Sequence, residues 1–157
     1  MKNLLLVLIT IPLIFGSCKK DDDISSFNKW EKTFGRLNQN TEGSSVQQTT
    51  DGGYIITGMI GPSVTGYNFG VTNDVYLIKT DGSGVEQWNK TFGGTGEDRG
   101  YSVQQTTDGG YIITGSTESF GNGNSDVYLI KTDVNGTEQW NKTFGGTSYD
   151  EGFSVQQ

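Results

Sequence analysis

The sequence repeats itself with a period close to 50 residues, and this repetition constrains the fold more than any other feature. The segment Ser45–Gly58 recurs without change as Ser102–Gly115, and the tryptophans Trp88 and Trp140 lie 52 residues apart. Two more segments recur in the same way, 74–81 as 126–133 and 86–95 as 138–147. Periods of this length with several strands per unit are typical of propeller blades.

Each repeat unit contains four predicted strands. In the second unit strand A covers 102–106, strand B 111–114, strand C 127–131 and strand D 139–144. The glycines of Asp108–Gly110 supply the positive φ angles that a tight A–B hairpin needs. Strands B and C are apolar on both faces, whereas a half-exposed sheet alternates apolar and polar residues. Such strands predict sheets stacked between neighbouring sheets.

These motifs resemble the bacterial β-propeller repeat of secreted and surface proteins. The resemblance covers 29–157 and implies an all-β fold of four-stranded antiparallel blades, with 28–157 as the repeat region. The units would be 30–87, 88–139 and a partial third unit, 140–157. About two full blades form an incomplete ring, because a ring normally takes at least four. We expect a truncated piece of a longer protein; the alternative is a ring completed by self-association of several chains. The resemblance supplies no ligand.

The first 17 residues form a predicted signal peptide, with Lys2 followed by an apolar run that is too short to span a bilayer. Gly16 and Ser17 stand directly before Cys18, the single cysteine. This arrangement resembles the lipobox of bacterial lipoproteins, in which the cysteine is acylated. The alternative is an ordinary leader followed by a free thiol. Residues 18–27 would be the lipidated cysteine and its charged tether.

The acidic run Asp21–Asp23 lies within that tether. It resembles the export signal that directs Bacteroidetes lipoproteins to the outside of the outer membrane. We therefore expect a lipid-anchored protein of the outer membrane that faces outward, with the periplasmic face as the alternative.

Charge and residue content argue against several classes of function. The formal net charge is −7, which disfavours nucleic acid as a partner because like charges repel. There is no histidine, so the commonest general base and metal ligand is missing. The turns at 81–84 and 133–136 share residues with calcium loops but lack the full ligand series, so we interpret them as hairpin turns. The sequence predicts no cofactor, no metal and no catalysis.

Strand connectivity assigns the loops to two edges of the sheets. The A–B and C–D turns share one edge and are short in both copies, which indicates a structural role. The B–C and D–A loops share the other edge, and the B–C loop differs between copies, Met59–Asn73 against Ser116–Ser125. Recognition usually resides in such loops. The candidate ligand-contact residues are Tyr67, Asn68, Phe69, Glu97, Asp98, Arg99, Glu118, Phe120, Asn122, Tyr149 and Asp150.

Three functions remain open at the level of sequence. The first is a surface binding or adhesion module for glycans or proteins. The second is a catalytic or non-catalytic part of an outer-membrane system that degrades polymers such as glycans. The third is a scaffold. The tryptophans Trp30, Trp88 and Trp140 are predicted to pack between blades, with ligand stacking as the alternative.

Overall fold

The computed structural model describes residues 31–63 and 72–157, and every regular element within them is a β-strand. In chain order the strands are β1 (Gln39–Gln48), β2 (Tyr54–Pro62), β3 (Asp74–Thr80), β4 (Glu86–Phe92), β5 (Asp98–Gln105), β6 (Tyr111–Thr117), β7 (Asp126–Thr132) and β8 (Glu138–Phe144). The leader, Cys18, the tether, Trp30 and the predicted loop residues Tyr67, Asn68 and Phe69 lie outside the described residues.

The strands form two four-stranded antiparallel sheets, and the predicted all-β class with four strands per unit is confirmed. Sheet one has the order β1-β2-β3-β4, and sheet two has the order β5-β6-β7-β8. These two sheets do not close into a ring. Strand A of the second unit begins at Asp98, four residues earlier than predicted, because Asp98–Gly100 pairs with Gly115–Thr117.

Tight turns join neighbouring strands at one edge of each sheet, here called the turn edge. In the A–B turn of sheet two, the amide of Gly109 donates to the carbonyl of Thr106, and Gly109 has a φ of 83°. The equivalent glycine of sheet one, Gly52, has a φ of 82°. In the C–D turn of sheet one, the Asp81 carboxylate accepts hydrogen bonds from the amides of Ser83 and Val85. The carboxylate that resembled a calcium ligand therefore serves as a turn acceptor.

The two sheets pack face to face and bury one apolar cluster between them. Strand β5 contacts β1, β2 and β3 of sheet one. The cluster contains Ile55, Val75, Leu77 and Phe92 from sheet one and Val103, Tyr111, Ile113, Tyr128 and Ile130 from sheet two. Trp88 packs against this cluster, with its ring 5.7 Å from the Tyr111 ring in an edge-on contact. Packing between sheets, as predicted for the tryptophans, is thus observed for Trp88.

Side chains on the outer faces of the two-sheet stack are more exposed than their repeat counterparts between the sheets. Val46 of sheet one is 64% exposed, whereas Val103, its counterpart in sheet two, is 5% exposed. At the other end of the stack Trp140 is 42% exposed, although its counterpart Trp88 is partly buried. Identical sequences therefore differ in burial according to whether another sheet lies against them.

A second apolar cluster lies on the outer face of sheet one. It consists of Ile60, Tyr76 and Ile78, with Phe34 and Ile56 packed against it. Phe34 comes from the segment before β1 and contacts sheet one as Phe92 contacts sheet two. The outer face of sheet one is therefore partly covered by the chain that precedes β1.

Candidate functional site

The edge opposite the turns, here called the variable edge, brings the D–A and B–C loops together as connectivity predicts. The amide of Glu118 donates to the carbonyl of Glu97 at 2.8 Å, which joins the two loops of sheet two. Ser125 forms a parallel bridge with Tyr149, and the amide of Asp150 donates to the carbonyl of Ser125 at 2.8 Å. The segment after β8 is thereby held against the B–C loop of sheet two.

A cleft of about 160 Å³ opens between these loops. Its lining residues come from the D–A loop, β5, β6, the B–C loop and the segment after β8: Glu97, Arg99, Tyr101, Ser116, Glu118, Ser125, Tyr149 and Glu151. Four of the predicted contact residues, Glu97, Arg99, Glu118 and Tyr149, meet in this cleft. The other four, Tyr101, Ser116, Ser125 and Glu151, were not among the predicted contact residues.

A β-bulge places Tyr101 in the cleft. Gly100 pairs with Gly115 and Ser102 pairs with Thr114, so Tyr101 is the extra residue that has no partner in the register. A bulge re-aims the side chain of its extra residue and often lies beside a functional site. The bulge needs glycine on the neighbouring strand, because a Cβ at Gly115 would lie 1.7 Å from the carbonyl oxygen of Arg99.

A chain of hydrogen bonds runs through Tyr101. The Ser116 hydroxyl donates to the Tyr101 hydroxyl at 3.2 Å, and that hydroxyl donates to Oε1 of Glu151 at 3.1 Å. Burial raises the pKa of the Tyr101 phenol, and the nearby Glu151 carboxylate raises it further. The ring of Tyr101 stacks on Phe153 with centroids 5.3 Å apart. Tyr101 is therefore a neutral, fixed wall of the cleft.

Glu97 and Arg99 form an ion pair at the rim. Nη2 of Arg99 lies 2.9 Å from Oε1 of Glu97, and the Asn73 side chain donates to the same oxygen at 2.7 Å. Nε of Arg99 also donates to Oε1 of Glu97 at 3.0 Å, so the ion pair holds the two side chains together at the rim. The Tyr149 ring is 72% exposed, and the exposed carboxylate of Glu118 accepts no hydrogen bond from residues 31–63 or 72–157, so both groups are available to a ligand.

The other predicted contact residues organise the loops. Asp98 is fully buried, and its Oδ2 accepts hydrogen bonds from the amide of Gly94 and the hydroxyl of Ser119. Asp150 accepts a hydrogen bond from the amide of Gly146 at 2.9 Å in the same way. Because its side chain is inside the protein, Asp98 does not line the cleft.

Phe120 and Asn122 also lie outside the cleft. The Phe120 ring packs 5.6 Å from the Tyr128 ring and is 42% exposed. The amide of Asn122 donates to Oδ2 of Asp126 at 3.0 Å, which folds the B–C loop back on β7. Both residues belong to the same loop as Glu118 and shape it.

Asp74, at the start of β3, lies near two other carboxylates of this edge. Burial raises its pKa, and the charges of Asp98 and Glu97 raise it further. Within the described ranges, no group of three or more His, Cys, Asp or Glu side chains has the arrangement of a metal site.

The two repeat copies differ in sequence at positions that line the cleft. Aligned on the paired glycines, the positions of Arg99, Tyr101 and Ser116 are occupied in the first unit by Glu42, Ser44 and Met59. These differences lie beside strand segments that are identical in the two copies. Comparing the copies at this register is the sequence signal that could have identified Tyr101 and Ser116.

The turn edge, by contrast, repeats one polar arrangement in both units. The buried Lys79 donates from Nζ to Asp51 at 2.9 Å, to the carbonyl of Thr80 at 2.8 Å and to Gln87 at 3.2 Å. Lys131 makes the same contacts with Asp108, Thr132 and Gln139. The hydrogen bond from Lys79 holds the pKa of Asp51 well below its usual range, and Thr49 and Gly53 add to the effect. A repeated arrangement of this kind supports the structural role predicted for this edge.

The chemistry of the cleft suits non-covalent binding. An exposed ring beside a free carboxylate can stack on an apolar surface and accept hydrogen bonds. In the part of the chain that the structure describes, no helix has the length and apolar character needed to cross a membrane. No protein-family model matches the chain, and no curated protein matches its sequence.

Proposed function

We propose that this protein is a lipid-anchored binding module, displayed on the cell surface, which contacts a glycan or a protein through the cleft at the variable edge and performs no catalysis. The observation that carries the proposal is the position of the cleft: it lies where the repeat copies differ on a scaffold that is otherwise repeated. Tyr149 and Glu118 would make the ligand contacts, and Tyr101 would form the wall.

We further propose that the two sheets are blades of the β-propeller repeat. In support of this, contacts between the first and second units are repeated between the second unit and the segment after β8. The amide of Gln105 donates to Oε1 of Gln47, and the amide of Gln157 donates to Oε1 of Gln104. A Cβ on Gly100 would meet Thr57 and Val75, and a Cβ on Gly152 would meet their counterparts Thr114 and Val127. The segment after β8 thus lies on sheet two as β5 lies on sheet one.

The binding proposal is tested on a glycan array and against outer-surface proteins, using the lipidated full-length chain. Tyr149→Ala and Glu118→Ala should each weaken binding about tenfold, which corresponds to about 1.4 kcal/mol. Val134→Ala, an exposed side chain at the turn edge, is the matched control and should leave affinity unchanged. Cleft variants that bind as tightly as the wild type, or the absence of any ligand in both screens, would refute the proposal.

The anchor is tested separately. Cys18→Ser should release the protein from the membrane fraction and abolish incorporation of labelled fatty acid. In intact cells, added protease should cleave the wild-type protein if it faces outward. Retention of the variant in the membrane, or protection from protease, would contradict the anchor or the outward orientation respectively.

A further inference from the structure

The segment before β1 runs over the outer face of sheet one and reaches the variable edge at its later end. At its later end, the carbonyl of Asn38 accepts a hydrogen bond from the amide of Ser63, beside the pair formed by Gln39 and Pro62. In its middle, Phe34 packs on the outer face of sheet one against Tyr76 and Ile78. The path from Asn38 back to Phe34 therefore leads away from the variable edge.

Earlier in the segment, the residues near sheet one lie closer to the turn edge. The pKa of Asp81, in the C–D turn, is lowered by hydrogen bonds from Val85 and Ser83 and also by the positive charge of Lys32. Phe34 lines a surface groove that reaches Tyr54 and Thr80, the first residue of β2 and the last residue of β3 at that edge. The packing of Phe34, together with the effect of the Lys32 charge on Asp81, thus indicates the direction of the segment.

We propose that the membrane tether joins the domain at the turn edge, so that the cleft at the variable edge faces away from the bilayer. This inference rests on the proposed lipid anchor at Cys18. The two edges are separated by the length of the strands: β7 has seven residues, and at about 3.3 Å per residue it spans about 20 Å.

The reach of the tether supports this orientation. The 12 residues between Cys18 and Glu31 span at most about 40 Å when fully extended. An inverted domain would use about half of that reach to run back alongside the strands, and its cleft would meet the lipid headgroups. Both edges carry several carboxylates, so attraction to the bilayer does not favour either edge. The attachment point therefore favours the orientation in which the cleft faces away from the bilayer.

Energy transfer from single labelled positions to the membrane tests the orientation. Val134→Cys places a fluorophore at the turn edge, and Asn124→Cys places one at the variable edge of the same sheet; both side chains are exposed. Each full-length lipidated variant is reconstituted on vesicles of phosphatidylethanolamine and phosphatidylglycerol that contain a lipid-linked acceptor. Transfer should be clearly stronger from position 134 than from position 124. Equal or reversed efficiencies would overturn the inference.

Two controls separate this inference from the proposed anchor. If the protein washes off the vesicles, the anchor itself fails and the orientation fails with it. If the protein stays bound with reversed efficiencies, only the orientation fails. A long Gly-Ser insertion after Asp23 should abolish the difference between the two positions, since the attachment point would no longer restrict the domain. A difference that survives the insertion would also overturn the inference.

Discussion

Replacing the equivalent valines of the two repeat units, Val46 and Val103, by alanine in separate variants measures how much the contact between the sheets stabilises the fold. Val46 and Val103 both lie in the sequence Ser-Val-Gln-Gln-Thr-Thr, so strand propensity and the response of the unfolded chain are closely matched. They differ in coverage, because Val46 is 64% exposed and Val103 is 5% exposed. The pair therefore isolates the effect of burial by the neighbouring sheet.

The expected cost follows from the buried carbons. Val103→Ala removes two carbons at about 0.8 kcal/mol each, or about 1.6 kcal/mol. The remaining cavity brings the loss in unfolding free energy to about 2 kcal/mol. Val46→Ala removes the same carbons from a site that is about one-third buried, so we expect a loss of about 0.5 kcal/mol.

Equilibrium unfolding in urea measures both losses, and the denaturant slope should be the same in both variants. The predicted difference is about 1.5 kcal/mol, or several degrees in Tm. Equal losses at the two sites would refute the reasoning, because they would mean that Val46 is covered in solution as thoroughly as Val103.

Three further predictions concern glycine packing and charge. Gly115→Ala should destabilise the fold severely, because the added Cβ would collide with the Arg99 carbonyl. Gly146→Ala is the control and should be tolerated, because its added Cβ would meet no atom within 4 Å. Thermal melts of both variants check this prediction. The pKa of Asp74 is raised in the folded state, so its ionisation destabilises the fold as the pH rises above about 3.9. Asp74→Asn should therefore raise Tm at pH 7 but not at pH 3. Equal effects on Tm at both pH values would contradict the raised pKa of Asp74. Hydrogen bonds from Lys79 and Lys131 lower the pKa values of Asp51 and Asp108, so these carboxylates stabilise the fold above about pH 4 and lose that effect as the pH falls. In the double variant Asp51→Asn/Asp108→Asn, Tm should therefore decrease less steeply as the pH is lowered. An unchanged acid profile would count against these ion pairs.

Local features of the chain predict much of the fold and part of the site. The glycine turns and apolar runs indicate the strands because they act over a few residues. The start of β5 was predicted too late, since the bulge at Tyr101 interrupts the expected pairing and lets the strand continue back to Asp98. Glu118 and Tyr149 could be proposed as neighbours because connectivity assigns their loops to one edge.

Other parts of the site depend on distant contacts. Tyr101 and Glu151 are 50 residues apart, and their hydrogen bond forms only because the segment after β8 lies on sheet two. Asp98 looked like an exposed loop acid, but the turn formed by Gly94 and the hydroxyl of Ser119 enclose its carboxylate. No short pattern distinguishes a carboxylate that caps a loop from one that contacts a ligand.

By itself the sequence determined the repeated strand pattern, the turn chemistry and the edge at which the copies differ, because these depend on residue identity at fixed local spacing. Only the tertiary structure decided which of two identical strands is buried and which side chains meet in the cleft. It also decided that the segment before β1 packs on the outer face of sheet one. The physical reason is that burial and contact depend on what lies across the space between sheets, and identical segments can have different neighbours there.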